Sequence, residues 1–565
     1  MKKYFIICSC ILLALFFSFV ISCSRDNKEN SKNIYHTETL SETDEPDEPG
    51  FFLNDQYNDD NAKMIHSFDL FANKNPKYLS EDISGSVSGN TITLKVPLYT
   101  NKKLLIPAIT YSGKSITPQC DEAANFSKGS VTYTVTAEDG TTAKYKIIIQ
   151  SQQLAKTIEY IPEDNHRTDP DNDAIIGYSI PEYFKDGTMS KYTRYYSGGK
   201  DGTWFTDDDD VDVMIVYNKA GDVLESLSFN GPGPDGKYFT QDDIYNSYEL
   251  HFYNDNGNEV EYVAGDSAGR DGIWLTEDDS FSALHLFEYD NNLLRREIQY
   301  SDTDIVSCYY LLNYDSDSRI EAEWKYKGAG PDGAWFTEDD DLAEETTYQY
   351  DDSGNILRET FGQDKYGNIL YWYSFAYNAE NKIIEKTEYT REGYDNKWFT
   401  DDDFINSREM FEYNKDGQLA LSINSHSPGN DRIWYNSDDN INYYTVLDYT
   451  KSTETHTCYY WPNNRVGPDG LWFTDDDVPW YKIYIRYNVI RNIKKDQELY
   501  IASYGAGEDG KWFTADDENL KSYMRNRFDR HGNPLGTTYY NGAGNDGIWM
   551  TGDDLVDYYT VSVYK

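Results

Sequence analysis

Nine times between residues 199 and 554 the chain repeats one acidic, aromatic segment, best seen in "GPDGLWFTDDD" at 467 to 477. The nine copies reduce to G-x-D-[G/N/R]-x-[W/Y]-[F/L/Y/M]-[T/N]-x-D-D, with a glycine two residues before the first aspartate and aspartates at relative positions 0, +7 and +8 in every copy. The first aspartates stand at 201, 235, 271, 332, 395, 431, 469, 509 and 546, at intervals of 34 to 40 residues apart from two of 61 and 63. Self-similarity at such a period is the mark of a repeat architecture, in which each unit buries its apolar face against the next. The two long intervals each hold an extra strand-turn-strand unit without the full loop, as in "FGQDKYGNILYW" at 361 to 372. The expected array is therefore about eleven units, nine of them carrying the loop.

Between the loops lies a second recurring element, seen in "VYNKAGDVLES" (216 to 226), "FYNDNGNEVEY" (252 to 262), "QYDDSGNILRE" (349 to 359), "EYNKDGQLALS" (412 to 422) and "RFDRHGNPLGT" (527 to 537). An aromatic residue, then Asn or Asp, then a glycine turn between alternating segments is hairpin chemistry. This element resembles the YD repeats of rearrangement-hotspot and teneurin-like proteins, whose tandem hairpins coil into long β-sheets or shells. The match is degenerate, since "LDYTKSTETHT" and "IRYNVIRNIKK" lack the glycine. The resemblance implies the architecture and not a toxin role. Together with 52 tyrosines and a 16% aromatic content, it gives an all-β expectation: an elongated antiparallel β-hairpin repeat array over residues 191 to 565.

Upstream, residues 62 to 150 alternate in short runs, "TITLKVPL" (91 to 98) and "VTYTVTAEDGTTAKYKIIIQ" (131 to 150) among them, the latter a hairpin around Glu138-Asp139-Gly140. Length and spacing suit a β-sandwich. Through "ISGSVSGNTITLKVP" and "VTYTVTAEDGTTAKYKI" it resembles the Ig-like or cadherin-like module of bacterial surface lipoproteins, which implies a spacer. Residues 151 to 190 read as a linker.

The N-terminus, "MKKYFIICSCILLALFFSFVISC", has two lysines before an apolar run that stops at small residues, as signal peptides do. Val20-Ile21-Ser22-Cys23 resembles the permissive lipobox of spirochaete-like lipoproteins, which implies removal of residues 1 to 22, acylation of Cys23 with palmitate-type chains, and an outer-membrane or cell-surface place rather than the inner membrane, since Ser24 is not the retention signal. Residues 23 to 61 are polar and acidic and read as a disordered tether spanning on the order of 35 Å.

Loss of Lys2 and Lys3 takes the formal charge from −47 to −49, which excludes DNA and RNA as partners. Outside the leader and Cys23, Cys120, Cys308 and Cys458 are too few and too scattered for a disulfide framework.

The candidate metal ligands are the loop carboxylates: Asp201, Asp208 and Asp209; Asp235, Asp242 and Asp243; Asp271, Asp278 and Asp279; Asp332, Asp339 and Asp340; Asp395, Asp402 and Asp403; Asp431, Asp438 and Asp439; Asp469, Asp476 and Asp477; Asp509, Asp516 and Asp517; and Asp546, Asp553 and Asp554. Three carboxylates in one small loop repel unless protonated or shared with a cation, and calcium accepts six to eight oxygens of this kind. The loop resembles the Asp-rich calcium repeats of thrombospondin type 3 without their D-x-D-x-D-G core, and it lacks the alternating ligands of an EF-hand. Asx-turns and threonine caps explain the same residues without a metal, and that reading stands beside the calcium one.

The anchors expected to hold each loop to the sheet, stacked in a ladder with the neighbouring copy, are Trp204, Tyr238, Trp274, Trp335, Trp398, Trp434, Trp472, Trp512 and Trp549. No nucleophile motif, phosphate loop or paired histidines emerge, so no catalytic residue is assigned. The functional expectation is a non-enzymatic, lipid-anchored cell-envelope protein, a calcium-stabilised β-repeat scaffold presenting a multivalent surface to another surface protein. The alternative is a glycan-binding or host-adhesion lipoprotein that uses loop aromatics and carboxylates, for which solvent-facing tryptophans would speak.

Overall fold

In the computed structural model the chain from residue 61 onward is described, except 80, 98–99, 128, 277–278, 303–304, 363–367, 461–466, 491–492, 518–519 and 530–531. The signal peptide, Cys23 and the acidic tether lie outside the described residues, as does Asp278.

Alternation in residues 64 to 151 produces eight strands: β1 (Met64–Leu70), β2 (Ile83–Ser84), β3 (Ser86–Ser88), β4 (Thr91–Val96), β5 (Ala108–Ser112), β6 (Ser115–Thr117), β7 (Ser130–Thr136) and β8 (Thr142–Ser151). They form a three-stranded sheet, β2-β1-β5, and a five-stranded sheet, β3-β4-β8-β7-β6, in which β4 and β8 run parallel. Inward residues of both sheets meet in one core of Phe68, Ile92, Leu94, Tyr133 and Ile147, all 0–1% exposed. The module is a three-stranded and a five-stranded sheet sharing one core, held by side chains that recur every second residue.

All remaining strands, twenty-four from β9 (Leu154–Ile161) to β32 (Leu555–Tyr564), follow one another in antiparallel order and close into a barrel where β32 pairs with β9, Val561 opposite Ile158. Two expectations are corrected here. The segment read as a linker contains β9 and β10 (Ala174–Tyr183), and β9 closes the ring against β32. The array is a closed ring of twelve hairpins, from twenty-four strands, rather than an elongated run of about eleven. Closure removes both exposed sheet edges, the physical liability of an open array. At this strand number the interior is too wide for side chains to fill.

The two kinds of connection sit at opposite ends of the barrel, because strictly antiparallel order sends every second turn to the same end. Tight turns cap one end. In them Asn218, Asn254, Asp351, Asn378 and Asn414 accept N–H bonds from residues two and four ahead. The aromatic residue before each turn reaches sideways: the hydroxyls of Tyr253, Tyr350 and Tyr413 donate to the carbonyls of Val223, Ile320 and Ile383, thirty residues upstream. That lateral bond ties each of these hairpins to the one before it.

Register separates two faces. On the face covered by the acidic loops, tyrosines stack across strands, as Tyr178 on Tyr195, Tyr309 on Tyr326 and Tyr444 on Tyr459 at 4.2–4.6 Å. Ionisable residues occupy mid-strand positions on this face (Glu261, Arg296, Arg358) and on the opposite one (Glu297, Glu359, Lys386). Charged side chains thus interrupt both faces at mid-strand in these hairpins.

Candidate functional site

In the acidic loops the three aspartates do three different jobs, as seen in the eight copies whose aspartates are all described. The first makes an Asx-turn: Oδ1 of Asp201, Asp235, Asp271, Asp332, Asp395, Asp431, Asp469, Asp509 and Asp546 accepts the N–H two residues on, at 2.6–2.9 Å. The second clasps the start of the loop. Asp476 Oδ2 accepts the N–H of Asp469 at 3.1 Å while its Oδ1 takes the hydroxyl of Thr474, and Asp208, Asp242, Asp339, Asp402, Asp516 and Asp553 repeat the pattern. The threonine hydroxyl first, and then these N–H groups, hold the Asp476 carboxyl below the ordinary carboxylate range.

The third aspartate is buried in all nine copies, Asp243 at 1% exposure and Asp477 at 8% marking the extremes. Its Oδ2 accepts the N–H of the residue after the tryptophan, at 2.5–2.8 Å from Phe205, Leu275, Phe336, Phe399, Tyr435, Phe473, Phe513 and Met550. In most copies it also receives a donor from a strand: the hydroxyls of Tyr178, Tyr309, Tyr444 and Tyr523 on Asp209, Asp340, Asp477 and Asp554 at 2.6–2.7 Å, Trp372 Nε1 on Asp403 at 2.9 Å, and Ser503 on Asp517 at 2.6 Å. These strand donors were missed in the sequence reading. Their trace is a tyrosine or tryptophan 31 to 33 residues before the last aspartate. Burial raises the carboxyls of Asp243, Asp439, Asp477 and Asp554 above the ordinary range.

This clasp explains the invariant glycine. The chain returns so closely that a Cβ on Gly199 or Gly233 would lie 1.9 Å from the carbonyl oxygen of Asp208 or Asp242. At the drifting position after the first aspartate only a left-handed backbone is needed and nothing crowds the site, so Asn396 and Arg432 adopt φ of 54° and 62° where other copies have glycine.

The aromatic pair divides its labour. Trp472 and Trp549 are buried at 3% and 5%, and the other seven anchors are half-buried. The tryptophan edge meets the ring of a strand tyrosine, as Trp204 on Tyr178, Trp335 on Tyr309 and Trp472 on Tyr444 at 5.9–6.0 Å. The expected ladder between neighbouring loop tryptophans is replaced by these loop-to-strand contacts. The residue after the tryptophan stands at φ 63–70° in all nine copies, a conformation that costs L-residues about 1–2 kcal/mol. The left-handed turn aims its N–H at the buried aspartate and leaves its ring outside, where Lys156 covers Phe205 and Arg358 covers Phe399, each at 3.7 Å.

Only one loop among the described residues brings its three carboxylates together. Asp431, Asp438 and Asp439 offer oxygens that lie within 4.8 Å of one another. This copy has Asn436 where the others have threonine. Its amide donates to Asp431 and to the Ile433 carbonyl, so no hydroxyl sits between Asp438 and Asp439. Asp439 Oδ1 is buried without a hydrogen-bond partner.

The opposite strand face carries a different surface. His251, Tyr262, His285 and Phe287 form a run of rings 5.0–6.2 Å apart, and Phe361, Tyr371, Tyr373 and Phe375 form a second one, with Lys386 4.0 Å above Tyr373. Carboxylates are interleaved: Glu259 meets His251 at 2.6 Å, and Glu409 accepts from Tyr443 at 3.0 Å. All of these rings are half-buried.

Residues 78–149 match the family model described as "SGBP, N-terminal". No curated protein matches the chain. Among solved structures, the TcdB2-TccC3-Cdc42 complex aligns at 11% identity over 75% of this chain and 20% of that one, with a TM-score of 0.23. A porin-like protein from Bacteroides uniformis aligns at 9% over 50% and 94%, TM-score 0.20, and a putative glycoside hydrolase from Bacteroides thetaiotaomicron at 14% over 60% and 85%, TM-score 0.15. This chain spans only 20% and 25% of the first two structures it matches. At such TM-scores the superpositions carry no argument, and the family match speaks for the N-terminal module alone.

Proposed function

We propose that this protein is a non-enzymatic, surface-exposed glycan-binding protein, lipid-anchored through Cys23, with the small module as spacer and the barrel as binding scaffold. One observation carries the reading: half-buried aromatic rings interleaved with carboxylates on the opposite strand face, around Tyr262, His285 and Tyr373. Half-buried rings offer apolar platforms to the C–H face of a sugar, and carboxylates beside them accept its hydroxyls. The match of the module to "SGBP, N-terminal" favours this over a purely structural scaffold. The loop tryptophans are engaged with strand tyrosines, so they belong to the scaffold. Retention on a panel of immobilised neutral polysaccharides tests the reading. Binding should weaken in Tyr262→Ala and Tyr373→Ala without release of reducing ends. A protein that no glycan retains, or variants that bind unchanged, would overturn it. Cys23→Ala should free the protein from membranes; its retention there would end the lipid-anchor reading.

Calcium enters as a narrower proposal than nine equivalent sites. In most copies the carboxylate oxygens already accept N–H and hydroxyl donors, whereas the Asp431, Asp438 and Asp439 group alone among the described residues gathers three carboxylate oxygens within 4.8 Å of one another. Hard oxygen ligands of this kind suit calcium. Calorimetry with calcium should give about one site per chain, lost in Asp438→Asn; no heat at millimolar calcium would remove the ion from the scheme.

A further inference from the structure

Where the small module meets the barrel lies a cleft of about 860 Å³. Lys95, Lys102 and Lys146 line it from the module, and Lys185 and Lys565 from the barrel, against a single aspartate, Asp186. Asp186 is turned into its own hairpin, where it accepts the N–H and the hydroxyl of Thr188, and that hydroxyl leads the effects holding its carboxyl below the ordinary range. Five lysines thus line one cleft in a chain whose formal charge is −47. None of the five is ion-paired among the described residues, although 98 acidic side chains are available in the sequence.

The rest of the lining suits a polar ring. Phe184 is half-buried, and Gln150, Gln152 and Ser130 bring amide and hydroxyl groups. The volume lies in the range that holds a small ligand rather than a polymer track. A long polyanion would meet the field of the surrounding carboxylates, but a short one inside the cleft is screened from them beyond about 8 Å at physiological salt.

We propose that this cleft binds a short, carboxylate-bearing oligosaccharide, a charge-selective subsite separate from the aromatic face of the barrel. Its ligand class rests on the glycan-binding reading; its selectivity for an anion rests on the lysines. Ammonium groups on flexible stems meet carboxylates as point charges, and the amides and the Phe184 ring engage the sugar.

The test is titration of the full chain with trigalacturonate, and with galactotriose as the uncharged counterpart, at low and at physiological salt. Trigalacturonate should bind and weaken as salt rises, and galactotriose should not compete for the cleft. The triple variant Lys102→Gln, Lys146→Gln, Lys185→Gln should weaken trigalacturonate binding by at least about tenfold while neutral-polysaccharide retention persists. Tyr373→Ala should do the reverse, so the two readings fail separately. An unchanged triple variant, equal binding of acid and neutral sugars, or displacement by inorganic sulfate at the same concentration as trigalacturonate would each overturn the proposal. The lysines are exposed or half-buried, and unchanged circular dichroism checks that the variant folds.

Discussion

The hydroxyl of Tyr444 donates to Oδ2 of Asp477 at 2.7 Å, so a strand tyrosine closes the acidic loop that follows the next strand. The bond sits beside the Tyr444–Tyr459 stack and beneath Trp472, away from water. Burial, then this bond, pushes the phenol far above its ordinary range and keeps it a donor. Tyr444→Phe leaves the ring and removes the donor. Asp477 keeps the N–H groups of Phe473 and Thr474, so a loss of about 1–2 kcal/mol is expected in equilibrium unfolding. A change indistinguishable from zero would deny the bond any part in holding the loop.

Adjacent aspartates should respond to pH in opposite senses. Burial raises the Asp554 carboxyl, so its contribution to stability is complete below the ordinary value of 3.8 and is lost as pH rises through its folded pKa. Asp553 is lowered by the Thr551 hydroxyl and the Asp546 N–H, so its contribution is present above 3.8 and is lost as pH falls through its folded pKa. Asp554→Asn should flatten the stability curve above 3.8, and Asp553→Asn should flatten it on the acid side. Slopes unchanged from the parent in both variants would refute the assignment.

Trp472 and the residue after it should behave unlike any ordinary aromatic pair. Trp472→Ala removes a ring that is 3% exposed and should cost about 3–5 kcal/mol. Phe473 is 39% exposed at φ 65°, so Phe473→Gly relieves the backbone while losing little burial and should stay within about 1 kcal/mol of the parent. Phe473→Val places a branched Cβ in the same conformation and should be the worse of the two. Thermal unfolding of the three variants checks the order.

Closure through β9 and β32 predicts a seam as strong as any other strand pair. Ile158→Pro removes a ladder donor and should destabilise by about 3 kcal/mol. Hydrogen exchange should then quicken in β10 and β32 on both flanks. Exchange confined to residue 158 and its immediate neighbours would mean that the seam does not couple them.

Asn436→Thr should restore the hydroxyl that bridges the last two aspartates in other copies, such as Thr206 to Asp208 and Asp209 at 2.8 and 3.0 Å. The variant is expected to gain stability in chelator, by about 1 kcal/mol, and to lose calcium heat. Undiminished calcium binding would show that the threonine position does not decide whether the loop takes an ion.

The repeated motif by itself determined the all-β class, the positions of the turns and the split between tight hairpins and acidic loops. Those features rest on bonds between residues two to eight apart, such as Asp469 to Leu471 and Asp476 to Asp469. Local alternation also marked residues 64 to 151 as strands. Tertiary structure alone decided that the array closes, because no hairpin encodes how many follow it, and the closing strand β9 lies in a stretch without the motif. It decided that the third aspartate is buried, since its donor comes from a strand 31 to 33 residues away. It left the phenylalanine of the aromatic pair exposed, a consequence of the left-handed turn that points an N–H inward. It also gathered five lysines from positions 95 to 565 around one cleft, a convergence that depends on where the module rests against the barrel.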